Sequence, residues 1–421
     1  MTESIDQRLS AAGLPPLPRR VWLEIDEDAL AGNLRIVREM AGAGVEVNAV
    51  VKADAYGHGL APVGRAFEAA GADRLCVASL DEALALREAG VAIPILVLFA
   101  IPPGEVARAA ANDVEIVAAD LPGTAETLDR WVANAGDGEL VVHVEVETGL
   151  TRGGVMPGDV PALIGRLNAT PRVRTGGLWT HIAAAENESV TTAQVAEFDR
   201  AAALVTEAGL PLPRRHLAAT GGFFTGRTPA YEGVRIGLAL YGLLPADLPM
   251  PERERAFAER LRAAMGLKCR ALRIERFPPG VGVSYGGRWR TERDSVIATL
   301  PAGYADAIPR PAPWGSVLIR GQRAPLVGTV AMDAVMADVT DVSGVRLDDE
   351  FVLLGSQGEQ DISTGELAQA RNTIPWEVAT GMSYRIPRVY HAGSVLVGLR
   401  TLNAETRVSN TGQSTKGDRN R

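Results

Sequence analysis

The sequence is poor in cysteine and has no long apolar run, and both absences limit what the protein can be. Its two cysteines, Cys76 and Cys269, lie in separate apolar segments without C-x-x-C spacing, so we interpret them as buried free thiols. No apolar run approaches the roughly 20 residues that a transmembrane helix needs. The polar start, MTESIDQRLSAAG, lacks the apolar core of a secretory signal. We therefore predict a cytoplasmic protein that does not bind a membrane.

Basic charge and histidine are also scarce. The 421 residues carry a formal net charge of -8, whereas a general nucleic-acid surface needs clustered lysine and arginine. We therefore expect no nucleic-acid partner. Only five histidines occur, and no two of them have the H-E-x-x-H spacing of a metal site, so we also predict that no metal is bound.

The hydrophobic content of 46% supports a large packed core. Up to residue 262, short apolar runs alternate with stretches of helical spacing; the runs are VNAVV, RLCVA, PILVL, EIVAA, LVVHVEV, GGLWTH, RHLAA and VRIGLALYG. Eight β-then-α units favour a (β/α)₈ barrel over an open, doubly wound sheet. One intervening helix, SLDEALALREAG, is predicted to begin with a capping box formed by Ser79 and Glu82.

From residue 263 the pattern changes, because short apolar runs now follow one another with only Gly, Pro and Asp turns between them. This is typical of antiparallel β structure. The predicted fold class is α/β, with an N-terminal (β/α)₈ TIM barrel followed by a mostly antiparallel β domain. The predicted boundaries are a flexible lead-in at 1–20, the barrel at 21–262, the β domain at 263–401 and a disordered tail at 402–421.

The stretch AVVKADAYGHG places Lys52 directly after an apolar strand. An apolar setting disfavours the ammonium form, so it lowers the pKa of the amine and makes it available as a nucleophile. Such an amine suits a Schiff base with a carbonyl cofactor, above all pyridoxal phosphate. The alternative is a surface lysine at the start of a loop. Asp54 and His58 are expected to brace this loop.

Further polar residues are expected at the same rim, because barrel enzymes carry their active sites at the carboxyl ends of the strands. His181 ends the strand GGLWTH, and Arg152 follows LVVHVEV. Arg152 is a candidate clamp for a substrate carboxylate. The alternative for His181 is a structural histidine in the core, and the alternative for Arg152 is an arginine on a surface loop. A phosphate cup is predicted from Thr220 and the backbone N–H groups around Gly237 and Leu238.

At this point several motifs resemble those of a known family. AVVKADAYGHG looks like the cofactor-lysine motif of the fold-type III, pyridoxal-phosphate-dependent alanine racemases. The motifs VETGLTRGG, WTHIAAAE, VRIGLALYG, VSYGGRW, GYADAIPR, AMDAVMADV and SYRIPRVY follow in the family's order. The resemblance extends from about residue 20 to about residue 400, and the family's barrel plus β domain matches the fold predicted above.

The resemblance implies an activity and an assembly. Lys52 is expected to bind pyridoxal 5'-phosphate and to act as one proton-transfer base on an amino-acid substrate. Tyr285, in VSYGG, is expected to be the second base on the opposite face of the Cα atom. In the family this tyrosine comes from the partner subunit, so the active unit implied here is a homodimer with shared sites. The implied reaction is the interconversion of L-alanine and D-alanine, which supplies D-alanine for peptidoglycan.

The resemblance also assigns residues around the cofactor. The phosphate group is expected to be held by Tyr56 and Tyr384, with Thr220 and the amides near Gly237 and Leu238.

The remaining assignments concern the ring of the cofactor and the substrate. Arg235 is expected to donate to the pyridine nitrogen, with His181 hydrogen-bonded to it. Arg152 is expected to orient the cofactor's phenolic oxygen and the substrate carboxylate, and the backbone of Met332 to help hold that carboxylate. Tyr304 is expected to line the entrance.

Two supporting residues complete the expected site. Many family members carry, two residues after a strand histidine, a lysine that becomes carbamylated and steers an arginine seven residues further on. Here HVEVETGLTR has Glu145 at that position, with Arg152 seven residues later. We predict that Glu145 supplies the negative charge directly; the alternative is an exposed strand glutamate. Asp333 is the second supporting residue.

Three other functions remain open at the level of sequence. A racemase for serine or for several amino acids would share these motifs. A basic amino-acid decarboxylase shares the barrel and the lysine but needs a cysteine-containing motif in its second domain, and Cys269 lies outside any such pattern. A non-catalytic pyridoxal-phosphate carrier is typically a lone barrel, so the β domain argues against it.

Overall fold

The computed structural model describes residues 3–134, 138–311, 315–408 and 414–418. The chain divides into two compact units. The barrel unit comprises Leu30–Ala55 and Leu60–Arg262. The β unit comprises Met1–Ala29, Tyr56–Gly59 and Ala263–Arg421. The short piece Tyr56–Gly59 therefore groups with the β unit although it lies within the barrel in sequence.

The first elements of the chain are α1 (Ile5–Ala11), β1 (Val21–Asp26) and α2 (Glu27–Ala41). Helix α1 begins with a capping box, in which the Ser4 hydroxyl accepts from the Gln7 amide and the Gln7 side chain accepts from the Ser4 amide. Residues 1–20 were predicted to be a flexible lead-in; residues 1 and 2 lie outside the described residues, and the structure of the rest differs from the prediction. Ile5 and Leu9 are buried in an apolar cluster with Trp22 and Leu399. A helix this short is not stable in isolation, and the burial of these two aliphatic side chains stabilises it.

Eight parallel strands close into a barrel in chain order, so the predicted (β/α)₈ barrel is confirmed. The strands are β2 (Glu46–Val50), β3 (Arg74–Val77), β4 (Ile95–Val97), β5 (Val114–Ala118), β6 (Leu140–Glu145), β7 (Val173–Trp179), β8 (Arg215–Ala219) and β9 (Gly233–Ile236). They coincide with the eight predicted apolar runs. The runs are nearly continuous in apolar residues because barrel strands are buried on both faces.

Helical segments connect and follow the strands. They are α3 (Lys52–Tyr56), α4 (Leu60–Ala69), α5 (Leu80–Glu88), α6 (Val106–Ala111), α7 (Leu121–Asn134), α8 (Val160–Ala169), α9 (Glu188–Glu207), α10 (Thr220–Phe224) and α11 (Glu252–Ala258). Short 3₁₀ turns occur at Pro103–Glu105, Pro157–Asp159 and Leu238–Tyr241. None of the helices among the described residues is both long and apolar enough to cross a bilayer.

The β unit is built on a 13-stranded, mostly antiparallel sheet. Its later strands are β10 (Met265–Arg270), β11 (Arg273–Phe277), β12 (Gly282–Val283), β13 (Trp289–Arg290), β14 (Ser295–Leu300), β15 (Ser316–Ile319), β16 (Gln322–Val327), β17 (Val335–Asp338), β18 (Glu350–Gln357), β19 (Gln360–Ile362), β20 (Arg388–Ala392), β21 (Val395–Arg400), β22 (Ala404–Val408) and β23 (Ser414–Asp418). Strands β12 and β13 form a separate ribbon. Two helices, α12 (Thr364–Ala370) and α13 (Pro375–Thr380), and 3₁₀ turns at Tyr285–Gly287 and Tyr304–Asp306 complete the unit.

Two predicted domain boundaries need correction. Strand β1 was assigned to the barrel, but it pairs antiparallel with β10 and parallel with β20 in the sheet of the β unit. Its alternating pattern predicts a strand and carries no information about the sheet that receives it. The tail at 402–421 was predicted to be disordered, but β22 pairs with β21, and β23 pairs with β22. Residues 409–413 and 419–421 of that tail lie outside the described residues.

Candidate active site

The backbone after Lys52 makes a left-handed turn. Ala53, Asp54, Ala55 and Tyr56 all have φ between 51° and 55°. None of them is glycine, and each non-glycine residue in this region costs roughly 1–2 kcal/mol. Four in succession form a strained segment that persists only because surrounding groups over-determine it.

Local hydrogen bonds hold this strained turn. The Asp54 Oδ1 atom accepts from the amide of Leu60 at 2.8 Å, and His58 Nδ1 lies 2.9 Å from the carbonyl oxygen of Tyr56. These contacts agree with the bracing role expected for Asp54 and His58. The direction in which the Lys52 side chain leaves β2 is therefore fixed by its backbone.

Glu82 ties the lysine turn to the neighbouring strand. Its Oε1 atom accepts from the Ala53 amide at 2.6 Å and its Oε2 atom accepts from the Ala78 amide at 2.8 Å. The capping box predicted from Ser79 and Glu82 is wrong in this respect, since the Ser79 side chain makes no capping hydrogen bond. The spacing predicts a local cap, but the carboxylate binds across to the loop after β2 instead.

The Lys52 amine lies in an environment that opposes its protonation. Burial lowers the pKa of Lys52, and the nearby guanidinium groups of Arg152 and Arg235 lower it further, while Glu82 acts in the opposite direction. Both Lys52 Nζ and the Arg152 guanidinium lie near the ring of Phe99, at 5.9 and 5.3 Å from its centroid. A larger fraction of this amine is therefore neutral, and nucleophilic, than in a solvated lysine.

Arg152 pairs with a buried carboxylate. Its Nη2 atom lies 3.7 Å from Oε1 of Glu145, whose side chain is only 6% exposed. Burial raises the pKa of Glu145, and Arg152 and Arg235 oppose that rise. The loop between them is shaped by Glu147, which accepts from the amides of Gly149 and Thr151. Glu145 is thus in contact with Arg152, and it is not an exposed strand residue.

His181 is surrounded by positive charge. Burial lowers its pKa to about 3, with further contributions from Arg235, Arg152 and Lys52. The imidazole is therefore neutral throughout the physiological range. Its backbone is held by Gln194, whose Nε2 atom donates to the His181 carbonyl at 3.2 Å.

Arg235 is held rigidly on β9 by a residue that the sequence did not single out. Its Nη1 atom donates to both Nδ1 (3.0 Å) and the carbonyl oxygen of His216, and its Nη2 atom donates to the Thr180 carbonyl at 2.6 Å. The guanidinium also lies 4.5 Å from the ring centroid of Trp179. His181 was expected to be the hydrogen-bond partner, but the described hydrogen bonds of the guanidinium go to His216 and to backbone oxygens.

The support of Arg235 continues through the barrel interior. His216 Nε2 lies 2.9 Å from His143 Nδ1, and His143 Nε2 lies 2.9 Å from Glu115 Oε2, which also accepts from Arg74 at 2.7 Å. Burial keeps both histidines neutral by lowering their pKa values. Burial acts to raise the pKa of Glu115, but its hydrogen-bonded partners outweigh that effect and hold the pKa at about 2. Arg74 is the cation that keeps this carboxylate ionised.

A glycine makes room for the histidine pair. A Cβ atom on Gly177 would lie 2.5 Å from His143 Nδ1 and 2.8 Å from His216 Nε2. Polar residues within otherwise apolar strands, such as the histidine of RHLAA and the glutamate that begins EIVAA, are the sequence signal from which this chain of contacts could have been inferred.

The predicted phosphate cup gathers a hydroxyl and two amides. The Thr220 Oγ1 atom at the start of α10 accepts from the amides of Gly237 and Ala239 at 3.3 and 3.5 Å. Leu238 lies between these two donors and begins a 3₁₀ turn. Backbone N–H groups and a hydroxyl in this arrangement are donors that suit phosphate oxygens.

Three other predicted residues lie on adjoining loops of the β unit. Thr329 Oγ1 donates to the carbonyl of Tyr285 at 3.0 Å. The Tyr304 amide donates to the Ala331 carbonyl, and the Ala305 amide donates to the Met332 carbonyl, both at 3.0 Å. The loops of Tyr285 and Tyr304 are therefore both hydrogen-bonded to one segment, residues 329–332, which ends at Met332.

Their side chains are accessible. Tyr285 is 69% exposed, Met332 53% and Tyr304 42%. Large apolar side chains that are exposed together, on loops held this firmly, are typical of a surface that meets another molecule.

Tyr56 and Tyr384 also belong to the β unit. The turn that contains Tyr56 is held by Arg388, whose Nε and Nη2 atoms donate to the Gly57 carbonyl at 3.2 and 3.1 Å, and by Tyr390, whose hydroxyl donates to the His58 carbonyl at 3.0 Å. The ring of Tyr384 lies 4.6 Å from the Arg400 guanidinium. The structure thus groups the two tyrosines in one unit.

The donor set of the barrel site fits an anionic carbonyl cofactor. Lys52 provides an amine with a lowered pKa, Arg152 and Arg235 provide positive charge, and Glu145 is the buried carboxylate paired with Arg152. The site therefore combines a nucleophile with donors for a phosphate or a phenolate oxygen. Among the residues that the structure describes, no cluster of three His, Cys, Asp or Glu side chains suits a metal ion.

Comparison with known proteins identifies the family on both parts of the chain. Residues 25–245 match the family model "Alanine racemase, N-terminal domain", and residues 264–390 match "Alanine racemase, C-terminal domain". Curated alanine racemases are similar over most of their length. The protein of Halothermothrix orenii is 37% identical over 89% of this chain and 97% of its own, and that of Desulfovibrio desulfuricans is 38% identical over 88% and 98%.

Solved structures give the same result. The alanine racemase of Bacillus anthracis, with bound L-Ala-P, superposes with a TM-score of 0.84 at 33% identity and covers 92% of this chain and 99% of its own. The enzyme from Streptomyces lavendulae, which produces D-cycloserine, superposes with a TM-score of 0.81 at 33% identity, over 90% and 98%.

The electrostatic account of Lys52 predicts opposite effects for two neutralising substitutions. Arg152→Gln removes a cation and should raise the pKa of Lys52, so that the amine becomes reactive only at higher pH. Glu82→Gln removes an anion and should lower that pKa. The measurement is the pH dependence of Lys52 acetylation in the cofactor-free protein, followed by peptide mass spectrometry. Lys268, which is paired with Glu24 at 2.9 Å, serves as an internal reference. Shifts of equal sign in the two variants would contradict the account.

Proposed function

The chain belongs to the alanine racemase family, and we propose that it interconverts L-alanine and D-alanine with pyridoxal 5'-phosphate as its cofactor. The observation that carries the proposal is the partly buried Lys52 amine, with its lowered pKa, near Arg152 and Arg235 and just after a barrel strand. Bound pyridoxal phosphate withdraws electron density from the substrate Cα atom and so makes its proton acidic.

Lys52 and Tyr285 are the proposed catalytic residues. Racemisation removes the Cα proton on one face and delivers a proton on the other, so two bases are needed on opposite faces. The lowered pKa of Lys52 lets its amine accept the proton near neutrality. Tyr285 moves the proton on the other face. Its 69% exposure supports a role in the site of a second copy of the chain, within a homodimer.

Arg235 has a restricted role. Burial lowers its pKa to about 10, which is still well above neutrality. It therefore donates a hydrogen bond to the pyridine nitrogen but does not pass a proton to it. The contacts from His216 and Thr180 leave the guanidinium one fixed orientation. His181, neutral beside it, contributes no further charge.

The other proposed contacts divide between phosphate and substrate. Those to the phosphate come from Tyr56, Tyr384, Thr220 and the amides of Gly237 and Leu238. Those to the substrate come from Arg152, the Met332 backbone and Tyr304, with Asp333 in support. Supply of D-alanine to the cell wall, from the cytoplasm, follows from the family resemblance and forms part of the same proposal.

The direct test is Cα deuteration of L-alanine in D₂O by the cofactor-loaded protein, read by NMR and chiral chromatography. We expect deuterium at Cα together with D-alanine. Tyr285→Phe should abolish inversion and retain deuteration of only one enantiomer, because one face keeps its base. If the loaded wild-type protein neither deuterates nor inverts alanine, the proposed substrate is wrong. The same assay with serine and lysine then tests the alternative racemases.

We further propose that Glu145 is the charge that orients Arg152. Glu145→Gln should raise KM for alanine by roughly tenfold, since it leaves Arg152 without its buried ion-pair partner, 3.7 Å away. Glu197→Gln is the control, because it removes one carboxylate from an exposed pair with Arg200, at 2.8 Å, on the same unit. Unchanged kcat and KM in the Glu145 variant would refute this role.

A further inference from the structure

Asp306 is a buried carboxylate shared by two arginines. Its side chain is fully buried. Arg385 binds it with two hydrogen bonds of 2.8 Å, from Nε to Oδ1 and from Nη2 to Oδ2. Arg19 approaches end-on, with Nη1 donating to Oδ1 at 3.1 Å and Nη2 donating to Oδ2 at 3.4 Å. Paired forks of this kind fix both distance and orientation.

This carboxylate belongs to one of the loops proposed to meet the substrate. Asp306 is in the same 3₁₀ turn as Tyr304, and its Oδ2 atom accepts from the Gly303 amide at 3.3 Å. Arg385 Nη2 also donates to Asp333 at 2.6 Å, next to Met332. Arg385 therefore joins the turn of Tyr304 to the segment of Met332, and Arg19 holds the carboxylate that Arg385 binds.

The two loops are in unusually close contact. A Cβ atom on Gly303 would lie 2.3 Å from the carbonyl oxygens of both Ala331 and Met332. Glycine is needed at this position because no side chain fits between the two backbones. A small displacement of Asp306 is therefore transmitted to the Met332 segment by direct backbone contact.

Arg19 comes from a part of the chain that the family model does not include, since the match begins at residue 25. The segment that carries it is anchored. Leu9 and Leu14 are buried in the cluster with Trp22, and Asp6 accepts from Arg270 at 2.6 Å.

The connection between the anchor and Arg19 is stiff. Residues 15–18 read Pro-Pro-Leu-Pro, and each proline ring fixes its φ angle. A stiff linker that begins at a buried anchor limits where the Arg19 side chain can reach, and so reduces the entropy lost when it binds Asp306.

We propose that the N-terminal segment, residues 4–19, is a positioning element of the active site, and that Arg19 acts by holding Asp306 and thereby the loops of Tyr304 and Met332. The inference rests on the proposed function, because the contact between these loops and the substrate is part of that proposal. Arg19 is a positioning residue, since it reaches the substrate loops through Asp306 and Arg385.

The neighbouring arginine is a matched control. Arg20 donates to Asp348 at 3.1 Å, and the Asp348 side chain is 86% exposed. Arg20→Gln removes the same charge, one residue away, from an exposed pair of little energetic consequence. The two variants therefore separate the contact with Asp306 from a general loss of positive charge in this part of the chain.

The experiment compares Arg19→Gln with Arg20→Gln in the cofactor-loaded protein. We expect Arg19→Gln to raise KM for alanine roughly three- to tenfold with kcat changed less than twofold, and Arg20→Gln to behave as wild type. Arg19→Lys should recover part of the loss, because it keeps the charge without the fork. A wild-type KM in Arg19→Gln would overturn the proposal.

Hydrogen exchange gives a readout that does not depend on turnover. Amide exchange at residues 303–308 and 331–334 should become faster in Arg19→Gln and stay unchanged in Arg20→Gln. Equal exchange in both variants would overturn the positioning role even if KM changed. If the wild-type protein does not racemise alanine, the proposed function fails, whereas the exchange comparison still decides whether Arg19 holds these loops.

Discussion

The candidate active site depends on positive charge that is concentrated around a partly buried amine. Burial is the main cause of the lowered pKa of Lys52, and the nearby charges of Arg152 and Arg235 lower it further. Such an arrangement is unfavourable in an empty barrel and becomes favourable when an anionic ligand is bound. The same charges keep His181 neutral, with a pKa of about 3. The chemistry of the site therefore follows from one electrostatic constraint.

The protein maintains this arrangement with backbone strain and buried hydrogen bonds. Four consecutive residues after Lys52 adopt left-handed conformations, and Glu82 binds the first of them to the next strand. Arg235 is fixed by a chain of hydrogen bonds that runs through His216 and His143 to Glu115. The hydrogen bonds from Arg235 to Glu115 are internal to the barrel unit. Both devices leave the charged groups little freedom to move apart, so the strain is retained where function needs it.

Much of the fold could be predicted from the sequence, and Lys52 could be proposed as the principal site residue. All eight barrel strands were visible as apolar runs, because strands buried on both faces are mostly apolar. Lys52 was recognisable since it interrupts such a run. The placement of β1 was not predictable, because an alternating strand does not specify its partners. The docking of α1 was also missed, since it depends on the apolar surface offered by residues more than 370 positions away, such as Leu399.

Side-chain partners were the least predictable feature. His181 was expected to hold Arg235, yet His216 makes those hydrogen bonds. Glu82 had the spacing of a local cap but binds Ala53. In both cases two polar groups compete for one partner, and the outcome depends on register across neighbouring strands. Local spacing contains no information about that register.

The most direct measurement is where borohydride fixes pyridoxal phosphate on the protein. The chain has only three lysines, Lys52, Lys268 and Lys416, so peptide mapping gives an unambiguous assignment. The account predicts one label per chain, on Lys52, because its amine has the lowered pKa, whereas the Lys268 amine is engaged in an ion pair with Glu24 at 2.9 Å. A stoichiometric label on Lys268 or Lys416, or an unlabelled Lys52, would contradict the central claim.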